Sequence, residues 1–170
     1  MEARTRGSLV DRMKGAAMLQ ARTYEEVEAD RTATGQAAGV VLLVAAAQAV
    51  GGAGVGGAGI MWGAIAALGG WLLWAGITYL IGDKLLGGTA TWGELLRTLG
   101  FAQTPGLLMV LAFIPLLGGL VAVVVSVWVL IAGIIAIRHA LDFGSGKAVL
   151  TAFLGWLAIA IPRAILGFGS

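Results

Sequence analysis

Two long stretches of the chain contain no Asp, Glu, Lys or Arg: residues 32–82 and residues 98–137. The hydrocarbon core of a bilayer is about 30 Å thick and is crossed by roughly 20 apolar residues of α-helix. Each stretch is therefore long enough for two membrane-spanning helices joined by a tight turn. The charged segment between them, residues 82–105, is expected to be a loop on one face of the membrane.

The hydrophobic pattern predicts an all-α integral membrane protein with five transmembrane helices. Spans are expected at about residues 35–52, 60–81, 103–116, 119–137 and 148–166. Small and turn-forming residues at 51–59 and 115–119 connect the paired spans, and the charged segment 138–147 precedes the last one. We assign residues 35–168 to this membrane domain.

Residues 1–34 are expected to form a cytoplasmic tail that contains short amphipathic helices. Residues 8–20 place apolar side chains on one helical side and charged side chains on the other, as in a helix that lies on a membrane surface. Thr23 and Glu26 have the T-x-x-E spacing of a capping box, which predicts the start of a second helix. Because no span is included, we expect the bundle to stay folded when residues 1–30 are deleted.

A second T-x-x-E capping box, from Thr91 to Glu94, predicts a short interfacial helix before the third span. Glu94 and Arg97 are three residues apart and are expected to pair on the surface of that helix. Trp92 is expected at the level of the lipid headgroups, where tryptophan is enriched. Pro105 disfavours the helical conformation for the residue before it and so predicts the bend into the third span.

Glycine recurs at a spacing of four residues, which places small residues on one side of a helix. The pairs are Gly35/Gly39, Gly52/Gly56 and Gly59/Gly63. This spacing allows helix backbones to approach closely in lipid. We interpret these glycines as sites of tight packing within the bundle, with no particular dimer interface implied.

Composition excludes several classes of protein. The chain is 59% hydrophobic and 12% charged with a mean hydropathy of +0.93, whereas about 25% of residues are charged in soluble domains. There is no cysteine and one histidine, which argues against disulfides, thiolate catalysis and a cysteine-ligated metal. No run of Lys and Arg of the kind that binds phosphates occurs, so a nucleic-acid partner is excluded. We expect no catalytic, cofactor-binding or metal-binding residues.

Basic residues lie almost entirely on one side of the predicted topology. The tail carries Arg4, Arg6, Arg12, Lys14, Arg22 and Arg31, the central loop carries Lys84 and Arg97, and the last loop carries Arg138 and Lys147. Only Arg163 lies elsewhere. The positive-inside rule then predicts a cytoplasmic N-terminus and a C-terminus outside.

Four short segments occur in an order and spacing that match a known family. They are YEEVEAD at 24–30, TWGELLR at 91–97, LGFA at 99–102 followed by Pro105, and RHALD at 138–142. Set against five spans, the chain resembles the Yip family, five-span membrane proteins whose eukaryotic members interact with Ypt/Rab GTPases. The resemblance implies a membrane-organising or trafficking role. The tail is shorter than the cytoplasmic regions implicated in GTPase contact, so GTPase binding is not carried over.

The resemblance and the concentration of charge on one face favour a non-enzymatic scaffold or adaptor. Its partners would be membrane lipids and a protein docked on the cytoplasmic face, and self-association as a homo-oligomer stays open. The candidate contact residues are Tyr24, Glu25, Glu26, Glu28, Glu94, Arg97, Arg138 and Asp142. The simpler interpretation of these charges is that they only determine topology.

The alternative function is that of a small transporter or channel subunit. Ion-coupled transport usually needs an ionisable group within the membrane, and the predicted spans contain none at mid-depth. The uncharged polar residues Gln48, Thr78, Ser126 and Thr151 are more typical of helix–helix hydrogen bonds. The Ala- and Gly-rich composition favours a bacterial or archaeal cytoplasmic membrane as the location.

Overall fold

The computed structural model describes residues 7–52 and 57–165, and every regular element within these residues is helical. The elements are α1 (Leu9–Ala17), α2 (Ala21–Ala29), α3 (Ala33–Gly51), α4 (Gly57–Tyr79), a π-helical turn (Leu80–Leu85), α5 (Trp92–Ala102), a 3₁₀ helix (Thr104–Phe113), α6 (Gly118–Ala140) and α7 (Ser145–Ile165). The turn expected at 51–59 lies partly outside the described residues.

A side-chain cap explains where α1 begins, but no side chain caps the start of α2. The Ser8 hydroxyl accepts a hydrogen bond from the backbone N–H of Asp11, whose side chain bonds back to the N–H of Ser8. The capping box predicted at Thr23 and Glu26 is wrong. Helix α2 begins three residues earlier, after Gln20, without a side-chain cap, and Glu26 instead bonds a buried arginine of α1.

The helix predicted before the third span exists, and its Thr91–Glu94 capping box is confirmed. It is not a surface helix, however. Every residue from Leu95 to Ala102 is buried, since α5 packs against α2, α3, α4 and α6. Arg97 consequently points into the protein and forms no ion pair with Glu94.

Proline explains the change of helix type after α5. Pro105 has no backbone N–H for an α-helical ladder, and the chain continues as a 3₁₀ helix from Thr104 to Phe113. The Thr104 hydroxyl donates to the Phe101 carbonyl at 2.6 Å across this junction. Together α5 and the 3₁₀ helix form one apolar segment, longer than the third span predicted from residue 103.

Four helical segments among the described residues are long and apolar enough to cross a membrane. They are Ala33–Gly51, Ile60–Leu85, Trp92–Phe113 and Gly118–Ala140. Their outward side chains are apolar and about half exposed, as at Leu43, Ile65, Leu73 and Leu130. A continuous apolar exterior of this kind suits lipid and not water. The chain is therefore an integral membrane protein.

The predicted fifth span coincides with α7. This helix runs from Ser145 to Ile165 and packs against α6 and α4. Its side chains are described as far as Ala158, and Phe153 and Trp156 are exposed along it.

The N-terminal helices α1 and α2 pack against the rest of the bundle. Ala16 of α1 and Tyr24 and Val27 of α2 are fully buried in the same core as residues of α5 and α6. Deletion of residues 1–30 would remove these side chains and leave their neighbours uncovered. The expectation that such a deletion spares the bundle is therefore not supported by the packing.

The closest helix–helix contacts at glycine do not occur at the glycine pairs that were identified from their spacing. A methyl group added at Gly35, Gly39 or Gly63 would meet nothing within 4 Å. Gly56 lies outside the described residues, and the surroundings of Gly59 are not described. At Gly100, by contrast, an added Cβ would lie 2.7 Å from the Cβ of Ala37, where α5 crosses α3. Spacing alone did not identify this crossing.

We predict that Gly100→Ala destabilises the bundle while Gly39→Ala does not. Both changes raise helix propensity equally, so the difference between them isolates packing. The new methyl group at residue 100 would also lie 3.2 Å from the Cα of Ala37, which cannot move independently, and we expect a loss of about 1–3 kcal/mol. Thermal unfolding of both variants in mild detergent checks this. Equal melting temperatures would show that α3 and α5 do not cross at these residues.

Candidate functional site

Arg12 joins the three N-terminal helices through a buried guanidinium group. Only 2% of its side chain is exposed. Its Nε lies 2.9 Å from Oε1 of Glu26 in α2, and its Nη2 lies 2.7 Å from Oδ2 of Asp30, the residue directly after α2. Its Nη1 donates to Oε1 of Gln36 in α3 at 2.8 Å. One side chain of α1 therefore fixes both α2 and the start of α3.

The charges of this cluster are mutually stabilised. Hydrogen bonds from the Thr32 hydroxyl and from Arg12 lower the pKa of Asp30 to about 2. Burial acts to lower the pKa of Arg12, but its hydrogen bonds to Asp30 and Glu26 outweigh burial and raise it. The ion pair between Arg12 and Asp30 is thus fully charged throughout the physiological pH range.

Arg97 of α5 holds the last turn of α2. Its Nε donates to the carbonyl oxygens of Val27 at 2.9 Å and Glu28 at 3.1 Å, and its Nη2 also donates to Glu28. These carbonyls belong to the last turn of α2, where no intrahelical N–H is left to bond them. A buried cation at a helix C-terminus also opposes the negative end of the helix dipole.

The C-terminal end of α1 is held in a similar way by two aromatic side chains. The hydroxyl group of the buried Tyr24 donates to the carbonyl of Ala16 at 3.0 Å. The indole Nε1 of Trp128 in α6 donates to the carbonyl of Ala17 at 2.8 Å. The Tyr24 ring also lies parallel to the imidazole of His139, with ring centroids 6.2 Å apart. Helix α1 is therefore attached to both α2 and α6.

Glu94, Asp142 and Glu25 act electrostatically on Glu28 near the end of α2, and we call these four carboxylates the acidic surface. Glu25 and Asp142 are exposed, while Glu28 and Glu94 are partly buried. Burial first, and then repulsion by Glu94 and Asp142, raise the pKa of Glu28 to about 7, although Arg97 partly opposes the shift. The acidic surface thus combines side chains from α2, α5 and the end of α6.

Asp142 also has a role in ending α6. Its φ is +53°, a left-handed conformation that Asp tolerates better than most residues. The N–H of Asp142 donates to the carbonyl of His139 and that of Phe143 to the carbonyl of Arg138, which closes the helix. The Asp142 carboxylate accepts from the Thr89 hydroxyl at 3.0 Å, so it joins two loops.

The predicted contact residues therefore divide into two groups. Tyr24, Glu26 and Arg97 are engaged inside the protein. The residues of the acidic surface are brought together from distant parts of the sequence. Arg138 is exposed and forms no ion pair with any residue that the structure describes.

Sequence reasoning missed two residues that organise this region. Arg12 was assigned to the polar side of a surface helix, and nothing in its local sequence signals burial. Trp128 lies within a long apolar run, where the indole is indistinguishable from lipid-facing aromatics. Within residues 7–52 and 57–165, no three His, Asp or Glu side chains are grouped as a metal ion would require.

Comparison with known proteins gives one match. The family model described as the Yip1 domain matches residues 18–165, which is most of the chain and includes α2 and the acidic surface. No curated protein and no solved structure matches significantly.

We predict that Glu28→Gln raises stability above pH 7 and changes it little at pH 5. The folded-state pKa of Glu28, about 7, is above the usual 4.5, so the native state holds this proton more tightly. Wild-type stability then falls as pH rises between these values, and glutamine removes that loss. The gain is about 1 kcal/mol after allowance for solvent screening.

Thermal unfolding from pH 5 to pH 8 in detergent measures this difference. Glu25→Gln is the control, because it makes the same change in net charge at an exposed neighbour. Parallel pH profiles for wild type and Glu28→Gln would contradict the assignment.

Proposed function

Because the chain belongs to the Yip family of membrane proteins, we propose that it is a non-enzymatic scaffold or adaptor whose acidic surface docks a protein partner with a basic face. The observation that carries this proposal is the assembly of four carboxylates from three separate elements around the end of α2. Such a surface exists only in the folded bundle. A partner that recognises this surface would therefore bind only the folded membrane protein.

The contacts that hold α2 in place support this role. Arg12 and Arg97 hold the helix at several points, so Glu25 and Glu28 are displayed on a fixed element and not on a loose tail. A preorganised surface loses less conformational entropy when a partner binds. The buried arginines thereby favour affinity without contacting the partner themselves.

The electrostatics of the acidic surface also favour a basic partner. Glu94 and Asp142 repel the Glu28 carboxylate. Among the charged groups that shift the pKa of Glu28, only the cation of Arg97 opposes this repulsion. A Lys or Arg side chain brought by a partner would lower this repulsion. Charge complementarity of this kind mainly sets the association rate and the choice of partner.

We further propose five spans, with α7 as the fifth. At 21 residues it is about 31 Å long, enough for a bilayer core. The acidic surface, the loop that contains Thr89 and the start of α7 lie on one side, as the Thr89–Asp142 and Lys147–Leu86 hydrogen bonds indicate. The positive-inside rule places this side in the cytoplasm and the C-terminus outside.

In this arrangement α1 and α2 lie at the cytoplasmic interface, and α5 enters the membrane together with the 3₁₀ helix. Membrane lipids contact the apolar exterior. A bacterial or archaeal cytoplasmic membrane fits the Ala- and Gly-rich composition.

Cysteine accessibility tests the topology, because the natural chain has no cysteine. We expect Ser8→Cys and Ser145→Cys to react with an impermeant maleimide only from the cytoplasmic side, and Ser170→Cys only from outside. Oriented vesicles or spheroplasts, intact and permeabilised, provide the two conditions. Labelling of residues 145 and 170 from the same side would contradict the five-span topology.

Neutralising the acidic surface tests the adaptor role. We expect a protein that co-purifies stoichiometrically with wild type in mild detergent to be lost from Glu25→Gln/Glu28→Gln/Asp142→Asn, because the attractive charges are removed. Asn can still adopt the left-handed conformation at residue 142, so the bundle should stay folded. Mass spectrometry of the purified complexes measures the partner.

Asp11→Asn is the matched control. Asp11 is an exposed acid on α1, and Asn preserves an acceptor for the Ser8 N–H bond. The partner should remain with this variant. Equal recovery of the partner by all forms would show that docking occurs elsewhere, and the absence of any partner from wild type would count against an adaptor.

A further inference from the structure

A cavity of about 420 Å³ lies between α3, α4, the 3₁₀ helix and α6. Its wall includes Val44, Gln48, Trp71, Trp74, Gln103 and Ser126. All of these residues belong to or adjoin segments long and apolar enough to cross a membrane. The cavity is separate from the acidic surface, and the proposed adaptor role does not use it.

Three uncharged polar side chains face this cavity from three different elements. They are Gln48 of α3, Gln103 at the end of α5 and Ser126 of α6. None of the three side chains forms a hydrogen bond with the part of the protein that the structure describes. In hydrocarbon, an unpaired amide or hydroxyl group costs several kcal/mol. Three such groups in one cavity therefore favour a bound ligand that forms hydrogen bonds with them.

The position of the three groups within the spans is set by helix geometry. Gln48 lies three residues before Gly51, the last residue of α3, or about 5 Å along the axis. Ser126 lies eight residues after Gly118, the first residue of α6, or about 12 Å. Gln48 and Ser126 therefore lie inside the apolar segments, in the half nearer the short turns that join the paired spans. Gln103, which precedes the ten-residue 3₁₀ helix, lies about 20 Å from that side.

The rest of the wall limits what the ligand can be. No residue lining the cavity carries a charge, so an anionic or cationic headgroup would be buried without a counter-ion. The indole N–H of Trp71 is already bonded to the carbonyl of Leu96 at 3.0 Å, so this ring contributes an apolar wall. Glutamine amides both donate and accept, which suits a ligand that presents a hydroxyl group together with ester carbonyls.

The opening of the cavity indicates how such a ligand would lie. Gln48 and Ser126 are exposed at the surface of the bundle, next to the apolar exterior that contacts lipid. A bound headgroup can therefore sit in the cavity while its acyl chains remain in the bilayer. We infer that the cavity binds the head region of a neutral, hydroxyl-bearing glycerolipid of the diacylglycerol class.

Photolabelling of the full chain in phosphatidylcholine nanodiscs tests this inference. The probe is a diacylglycerol with a diazirine close to its ester group. We expect crosslinks on peptides from α3, the 3₁₀ helix and α6, and competition by unlabelled diacylglycerol but not by phosphatidic acid. Crosslinks spread evenly over the apolar exterior, or equal competition by phosphatidic acid, would overturn the assignment.

Two neighbouring glycines provide a matched pair of variants. Gly70 lines the cavity and Gly69 does not, and an added Cβ would meet nothing within 4 Å at either residue. Gly70→Leu should therefore fill the cavity and reduce specific labelling about tenfold, while Gly69→Leu should label as wild type. Equal labelling of the two variants would contradict the proposed site.

Gln48→Leu/Gln103→Leu tests the polar groups separately from the volume of the cavity. Loss of two hydrogen bonds within a membrane, at about 0.6–1 kcal/mol each, corresponds to a reduction in affinity of roughly tenfold. Gln20→Leu, outside the cavity, is the control. Should a cavity variant fail to fold, the competition experiment on wild type decides alone.

Discussion

The attachment of α2 by Arg97 is the interaction on which the arrangement of the N-terminal helices depends. Helix α2 has nine residues and no side-chain cap at its start, and a helix of this length is marginal alone in water. Arg97 bonds the carbonyls of its last turn from α5, 69 and 70 residues away in sequence. Tyr24, Glu26 and half of the acidic surface all take their positions from this one helix.

The same physical principle recurs along the N-terminal region. Carbonyl groups at the ends of α1 and α2 have no intrahelical donors, and side chains from other helices supply them: Tyr24, Arg97 and Trp128. Each of these donors is largely buried within the bundle. Short helices that would be unstable individually are thus completed by their neighbours, and folding of the N-terminal region is coupled to that of the membrane segments.

The sequence was most informative where the signal is local. Apolar stretches located the long helices, the Thr91–Glu94 box located the start of α5, and Pro105 located the change in the third span. Contacts between distant segments were not accessible, because spacing does not reveal which face of a helix is covered. Arg97 was therefore predicted to pair with Glu94 nearby, and close glycine contacts were expected at Gly39 instead of Gly100. The acidic surface was only partly predictable, since its four residues were expected to contact a partner but not to form one group.

The 3₁₀ helix has a consequence for the reach of the third membrane segment. A 3₁₀ helix rises about 2.0 Å per residue and an α-helix about 1.5 Å. The ten residues from Thr104 to Phe113 therefore cover about 20 Å, where the same residues in α-helical form would cover about 15 Å. The extra length equals that of roughly three α-helical residues. The winding alone thus lengthens a segment whose first half is buried among other helices, and it does so without a longer sequence.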